Sequence, residues 1–168
     1  IDCAMFDSLL PWCVHIAGSA IAGGTSPISS SQRSLGGAAF YQVYRTADNA
    51  HVVLGGRELK FARTLLGALG REDLLPLAEA PAGEQGALIA FFSETFATKT
   101  RAQWEQWFAD KDVAFAPVLD FREALDLPHV AERGLVIAAA GGGRQIAPAI
   151  RFAAEEWSPA RVPGLGEG

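Results

Sequence analysis

This 168-residue chain is poor in the residues that build metal centres and disulfide frameworks. It holds two cysteines, Cys3 and Cys13, and three histidines, His15, His51 and His129. No two histidines stand at metal-ligand spacing, and His129 with Glu132 has no further donors around it, so no metal site is expected. Both cysteines lie on one apolar segment and read as buried thiols on a helix, with a reactive thiol or a disulfide as the alternatives. Basic clusters are lacking too. The 14 Lys and Arg are outnumbered by 19 Asp and Glu, for a net charge of -5 spread along the chain, which argues against a nucleic-acid surface. Residues 12–24 are apolar, but they are short and glycine-rich beside the roughly 20 residues that a bilayer span requires. Asp2 and Asp7 precede them where a signal peptide would be positive. A soluble, cytoplasmic protein with no membrane partner is the expectation.

Several chemistries have no motif here. The glycine-rich stretches match neither a phosphate-binding loop nor a dinucleotide fingerprint. No serine occupies a nucleophile-elbow context, and no internal repeat is visible.

What is present is enough apolar content, 49%, to bury one core. Apolar residues at Met5, Phe6, Leu9, Leu10, Cys13 and Val14 recur three and four apart, predicting a helix to about Ala17 with Pro11 as a kink or break. Residues 18–35 are rich in Gly, Ser and Ala and read as a linker. Residues 40–46 and 51–55 read as strands joined by an Ala47-Asp48-Asn49 turn, and Gly55-Gly56 then turns the chain into a helix over 58–69. Beyond a short turn at 73–77 and a break at 81–83, helices are predicted over 84–97 and from Thr100 to about Ala109. Thr100 with Gln103 and Asp120 with Glu123 are capping-box signatures. A third strand is expected over 113–119, a short helix to Leu127, and a second hairpin from 135–140 and 145–152 around three glycines. From Glu155 onward proline and glycine predict an extended tail. The sum is an α/β (α+β) fold, a small antiparallel sheet flanked by helices. Trp104, Trp107 and Phe108 read as core.

Residues 36–61, GGAAFYQVYRTADNAHVVLGGRELKF, resemble the class III CoA-transferase family, above all its α-methylacyl-CoA racemase branch. That branch carries a GGAPFY-x-x-YRTADG hairpin followed by a G-A-x-E-P-x-F helix start. The likeness resumes at Ala116-Pro117-Val118-Leu119 and at Pro128-His129-Val130-Ala131-Glu132-Arg133-Gly134, similar to the family's APVL and DPH-x-x-x-RG stretches. The resemblance implies that this chain is the small-domain half of a longer acyl-CoA-processing enzyme. The implied layout is a connecting helix over 1–17, a linker over 18–35, a small α/β domain over 36–152 and an extended return segment over 153–168. A Rossmann-like N-terminal half, carrying most CoA contacts and the reactive aspartate, would lie outside this chain. An interlocked homodimer is implied as well. Coenzyme A enters as the thioester substrate, and no cofactor is expected.

The implied site residues are few. Glu58 aligns with the racemase glutamate that supports the histidine of an acid/base pair; its bland alternative is an acidic residue complementing a helix dipole. Leu59 stands where the racemases commonly have Pro, and Gly56 where they have Ala. Tyr41, next to Phe40 and so facing the opposite way on a strand, aligns with a tyrosine beside the acyl group; an ordinary sheet aromatic is the alternative. Gly36 and Gly37 resemble the end of a mobile loop over the thioester, or form a plain turn. His129 is structural on this reading. The expected activity is CoA transfer between an acyl-CoA and a carboxylic acid. Racemisation or epimerisation at the α-carbon is the close variant, and a non-catalytic binding or assembly module is the other class.

Overall fold

The computed structural model describes residues 4–56, 58–139, 142–148, 150 and 166. The fold is mixed α+β, and internal packing divides the chain into two units, Ile1–Val118 and Leu119–Gly168. The sequence reading groups 36–152 as one small domain; the division falls inside that span.

The first unit opens with α1 (Met5–Leu9), a 3₁₀ segment (Leu10–Cys13) and α2 (Val14–Gly23). Pro11 falls in the 3₁₀ segment, so the expected break becomes a local tightening of a continuous helical run. The run also outlasts the expected end at Ala17. Ala20, Ile21 and Ala22 sustain it, and it stops where Gly24, at φ 66°, turns left-handed and donates its N–H to the Ala20 carbonyl at 3.1 Å. Met5–Gly23 spans 19 residues and is, by length and composition, long and apolar enough to cross a membrane, which corrects the reading of a run too short to do so. None of its residues is buried. Cys13 is exposed, against the expectation of a buried thiol, on a face whose Met5, Phe6, Leu9, Leu10 and Val14 are exposed as well. Cys3 lies outside the described residues.

Three strands follow the expected order: β1 (Gln42–Arg45), β2 (His51–Leu54) and β3 (Phe115–Val118) form an antiparallel sheet with β2 central. The register pairs Val43 with Val53, and Val53 with Ala116. Pro117, which has no N–H to donate, is accommodated because β3 is an edge strand. One sheet face sends Tyr44, Val52 and Leu54 into the core. Against it pack α3 (Leu59–Ala68), α4 (Leu75–Glu79), α5 (Gly86–Phe96) and α6 (Arg101–Phe108), which bury Leu65, Leu66, Leu88, Phe92, Phe96 and Trp104. The Trp104 indole N–H donates to the Phe96 carbonyl at 2.9 Å, so the largest core side chain leaves no polar atom unpaired. The three aromatics of α6 are core, as expected, with Trp107 half-buried at its edge.

The Thr100–Gln103 capping box is formed in full at the start of α6. In the second unit Asp120 and Glu123 form the same box at α7 (Phe121–Leu125). A further helix, α8 (Pro128–Glu132), carries His129 in a stretch for which the sequence predicts no element, with Pro128 at its opening. A hairpin of β4 (Val136–Ala138) and β5 (Arg144–Ile146) follows in this unit, its strands ending short of the 135–140 and 145–152 expected. Gly142 and Gly143, at φ 98° and 89°, supply the left-handed backbone before β5. The expected tail from Glu155, within the 153–168 return segment, lies outside the described residues, Gly166 apart.

Candidate functional site

The polypeptide between the N-terminal helix and β1 folds back on itself before the sheet begins. Gly36 is left-handed, at φ 95°, and its carbonyl accepts from Gln42 Nε2 at 2.9 Å. Gly37 is glycine for a different reason. A Cβ there would lie 2.6 Å from the Ser30 carbonyl oxygen and 2.9 Å from that of Gln32, and its N–H donates to the latter at 3.0 Å. The glycine pair therefore makes a tight crossing that no larger residue would fit.

Just after it, Phe40 and Tyr41 separate. Phe40 is buried edge-to-face on Phe92 with ring centroids 5.1 Å apart, whereas Tyr41 is 44% exposed. Tyr41 stands between two open clefts. The first, about 660 Å³, is lined by Arg33, Tyr41, Leu59, Glu79, Pro81 and Gln85 among others. The second, about 460 Å³, runs over the outer sheet face along Leu35, Gly36, Tyr41, Val43, Val53 and Gly55. Gly36 and Tyr41 thus share one cleft, and Tyr41 shares the other with Leu59, the neighbour of Glu58.

Glu58 itself is exposed and lies outside the lining of both. It is the N-cap of α3, with extended backbone at ψ 133°, rather than a residue of the first turn. Its carbonyl accepts from Phe61 N at 2.9 Å, and its side chain makes no capping bond. The approach to α3 is constrained by Gly56. A Cβ at that buried position would fall 2.4 Å from Phe61 Cδ2 and 2.7 Å from Ala114 Cβ. Phe61 and Ala114 thus fill the space that an alanine side chain would need. None of His15, His51 and His129 lines either cleft, and all three are exposed. Among the described residues no three His, Cys, Asp or Glu side chains gather as a metal site.

Three polar residues support this region, of which the sequence marked only Asp48, as part of the hairpin turn. Tyr44, 2% exposed, donates its hydroxyl to the Ala39 carbonyl at 2.7 Å, and burial pushes its phenol well above the usual tyrosine range. Gln85, 5% exposed, bonds the Ala39 N–H at 2.9 Å. Asp48 accepts from the Thr46 hydroxyl and from Arg101 N at 3.2 Å, so the hairpin turn ties into the start of α6. Those bonds, led by the one from Thr46, hold its carboxyl below the ordinary carboxylate range. A tyrosine on the inward face of a strand, and an Asp at a turn two residues after Thr, were the only signals available for two of them. Nothing local marked Gln85.

A small helix-backed antiparallel sheet that presents a glycine crossing and an outward tyrosine beside two clefts defines the class of domain. Its family is equally plain: residues 1–168 match the model of CoA-transferase family III, and the chain belongs to that family. It is 34% identical over 137 residues to mouse (Mus musculus) α-methylacyl-CoA racemase, covering 79% of this chain and 35% of that protein. Against the human (Homo sapiens) α-methylacyl-CoA racemase it is 38% identical over 103 residues, covering 61% and 27%. The chain therefore spans about a third of the length of the curated relatives it matches. The same fold occurs in a CAIB/BAIF family protein from Brucella suis, at TM-score 0.77 and 22% identity, over 99% of this chain and 45% of that one. Rv3272 from Mycobacterium tuberculosis shares it at TM-score 0.56 and 23% identity, over 67% and 32%.

Proposed function

We propose that this chain forms one wall of the thioester site in a longer acyl-CoA-processing enzyme, and that the reaction is racemisation or epimerisation at the carbon α to the thioester carbonyl. The supporting observation is that the mouse and human relatives described above, at 34% and 38% identity, are α-methylacyl-CoA racemases. This reverses the order expected from the sequence, which put CoA transfer first. The transfer reading keeps the support of the family model, which is that of CoA-transferases.

The chemistry needs a proton removed from one face of the α-carbon and another delivered to the opposite face, with the enolate held in between. On this reading Tyr41 contacts the acyl portion at the mouth of the two clefts, and the Gly36–Gly37 crossing lets the backbone approach the thioester. Glu58, at the N-cap of α3, orients a catalytic imidazole contributed from outside this chain and stabilises its charged form. The complete protein would act as a homodimer in the cytoplasm, with coenzyme A bound as substrate and no other cofactor.

Incubating the complete protein with each 2-methylacyl-CoA enantiomer in deuterated water tests the proposal. Deuterium at the α-carbon, without transfer of CoA to an added carboxylic acid, is the expected result. CoA transfer without α-exchange would move the assignment to the transferase reading, and neither reaction would overturn both.

A further inference from the structure

Ala39 lies at the buried base of the turn that carries Tyr41, and both its peptide groups are held by side chains rather than by a helix or strand ladder. Its N–H donates to Gln85 Oε1 at 2.9 Å, and its carbonyl accepts from the Tyr44 hydroxyl at 2.7 Å. The same Gln85 donates from Nε2 to the Ala80 carbonyl at 2.7 Å and to that of Ala78 at 3.3 Å. One buried amide therefore joins the glycine crossing to the 78–80 segment on the other side of the first cleft.

Gln85 is also the N-cap residue of α5, and its side chain takes no capping bond there. An N-cap side chain ordinarily satisfies an N–H of its own first turn. Here it reaches back to Ala39, 46 residues earlier in the chain. Tyr44 reaches the carbonyl of the same residue from the inward face of β1. These two bonds and the Phe40 ring seated on Phe92 hold the backbone leading into Tyr41 at three points. Tyr41 N then closes on the Ala38 carbonyl at 2.9 Å, which carries that constraint to the exposed ring.

We propose that Gln85 and Tyr44 are positioning residues: by clamping the peptide groups on either side of Ala39 they aim Tyr41 at the acyl group. The aim at an acyl group rests on the function proposed above; the clamp does not. Gln85→Met removes both halves of the Gln85 contact, Gln85→Glu retains an acceptor for Ala39 N–H, and Tyr44→Phe removes only the other bond. Amide hydrogen exchange at Tyr41, whose own N–H touches neither residue, is expected to rise at least tenfold in Gln85→Met and Tyr44→Phe, and less in Gln85→Glu. Exchange at Leu66 and Phe92 is expected to move far less. Exchange at Tyr41 that rises no more than at Phe92 would overturn the clamp. In the complete protein, Gln85→Met is expected to lower kcat/KM in the unmodified background and to add little to Tyr41→Ala, since both act through one ring. Full additivity would overturn the positioning role. An unmodified protein with no thioester turnover would instead strike the functional reading, leaving the exchange result to judge the clamp.

Discussion

Single residues separate the two readings of Glu58. As the N-cap of α3 it could serve the helix alone, in which case Glu58→Gln alters stability by under about 1 kcal/mol and leaves turnover intact. As the partner of a catalytic imidazole it acts mainly in the transition state. Glu58→Gln then lowers kcat roughly ten- to a hundred-fold with little change in KM, the scale seen for residues that orient a catalytic group. Steady-state kinetics on the complete protein, beside a denaturation curve, tells these apart. Gly56→Ala brings a Cβ to 2.4 Å from the Phe61 ring, so the ring must move or the α3 approach must shift. A loss of about 1–3 kcal/mol is expected in urea unfolding, partly recovered by adding Phe61→Leu, which leaves the Ala114 contact in place. Asp48 has its carboxyl held below the ordinary range by Thr46 and Arg101 N. A depressed folded value contributes stability above the unfolded pKa of about 3.9, and that contribution is lost as pH falls through the folded value. Asp48→Asn should therefore flatten the acid limb of a stability–pH curve below about pH 4 while leaving the slope near neutrality unchanged.

Elements show what sequence carries and what it leaves open. The strands, the two capping boxes and the aromatic stripe of α6 were legible because each rests on local chemistry: alternation, a side chain bonding N3, or a three-four repeat. The end of α2 was not. Gly18, Ser19 and Gly23 suggest a linker, yet Ala20, Ile21 and Ala22 keep the helix until Gly24 can end it. Gln85 was invisible for another reason: the partner that ties it to the site, Ala39, lies 46 residues earlier, and no local pattern marks so distant a pairing. The helix over Met5–Gly23 exposes Phe6, Leu9, Leu10, Trp12, Val14 and Ile21, each more than half accessible. Burying such side chains is worth roughly 1.5–3 kcal/mol apiece, so a stripe of this size is unfavourable in water. The isolated chain is expected to self-associate through this helix, and a version beginning at Ser34 to remain monomeric, by size-exclusion chromatography with light scattering. Two monomers, with the helix as protected from exchange as α3, would contradict this. So would a monomer that floats with phosphatidylcholine vesicles, which would seat the helix in a bilayer.

For the whole molecule, the family was legible in a few separated motifs, and the chain's small share of its curated relatives shapes the central claim. The clefts beside Tyr41 are open, and neither is lined by a histidine that could exchange an α-proton. On the proposed function the acid/base pair comes from outside this chain, and the cleft shared by Gly36 and Tyr41 supplies only part of the site. The most direct measurement is deuterium incorporation at the α-carbon of a 2-methylacyl-CoA, run in parallel on the isolated chain and on the complete protein. Incorporation by the complete protein and none by the chain is the expected result. Catalytic incorporation by the isolated chain, abolished by changing one of its own aspartates, would contradict the account.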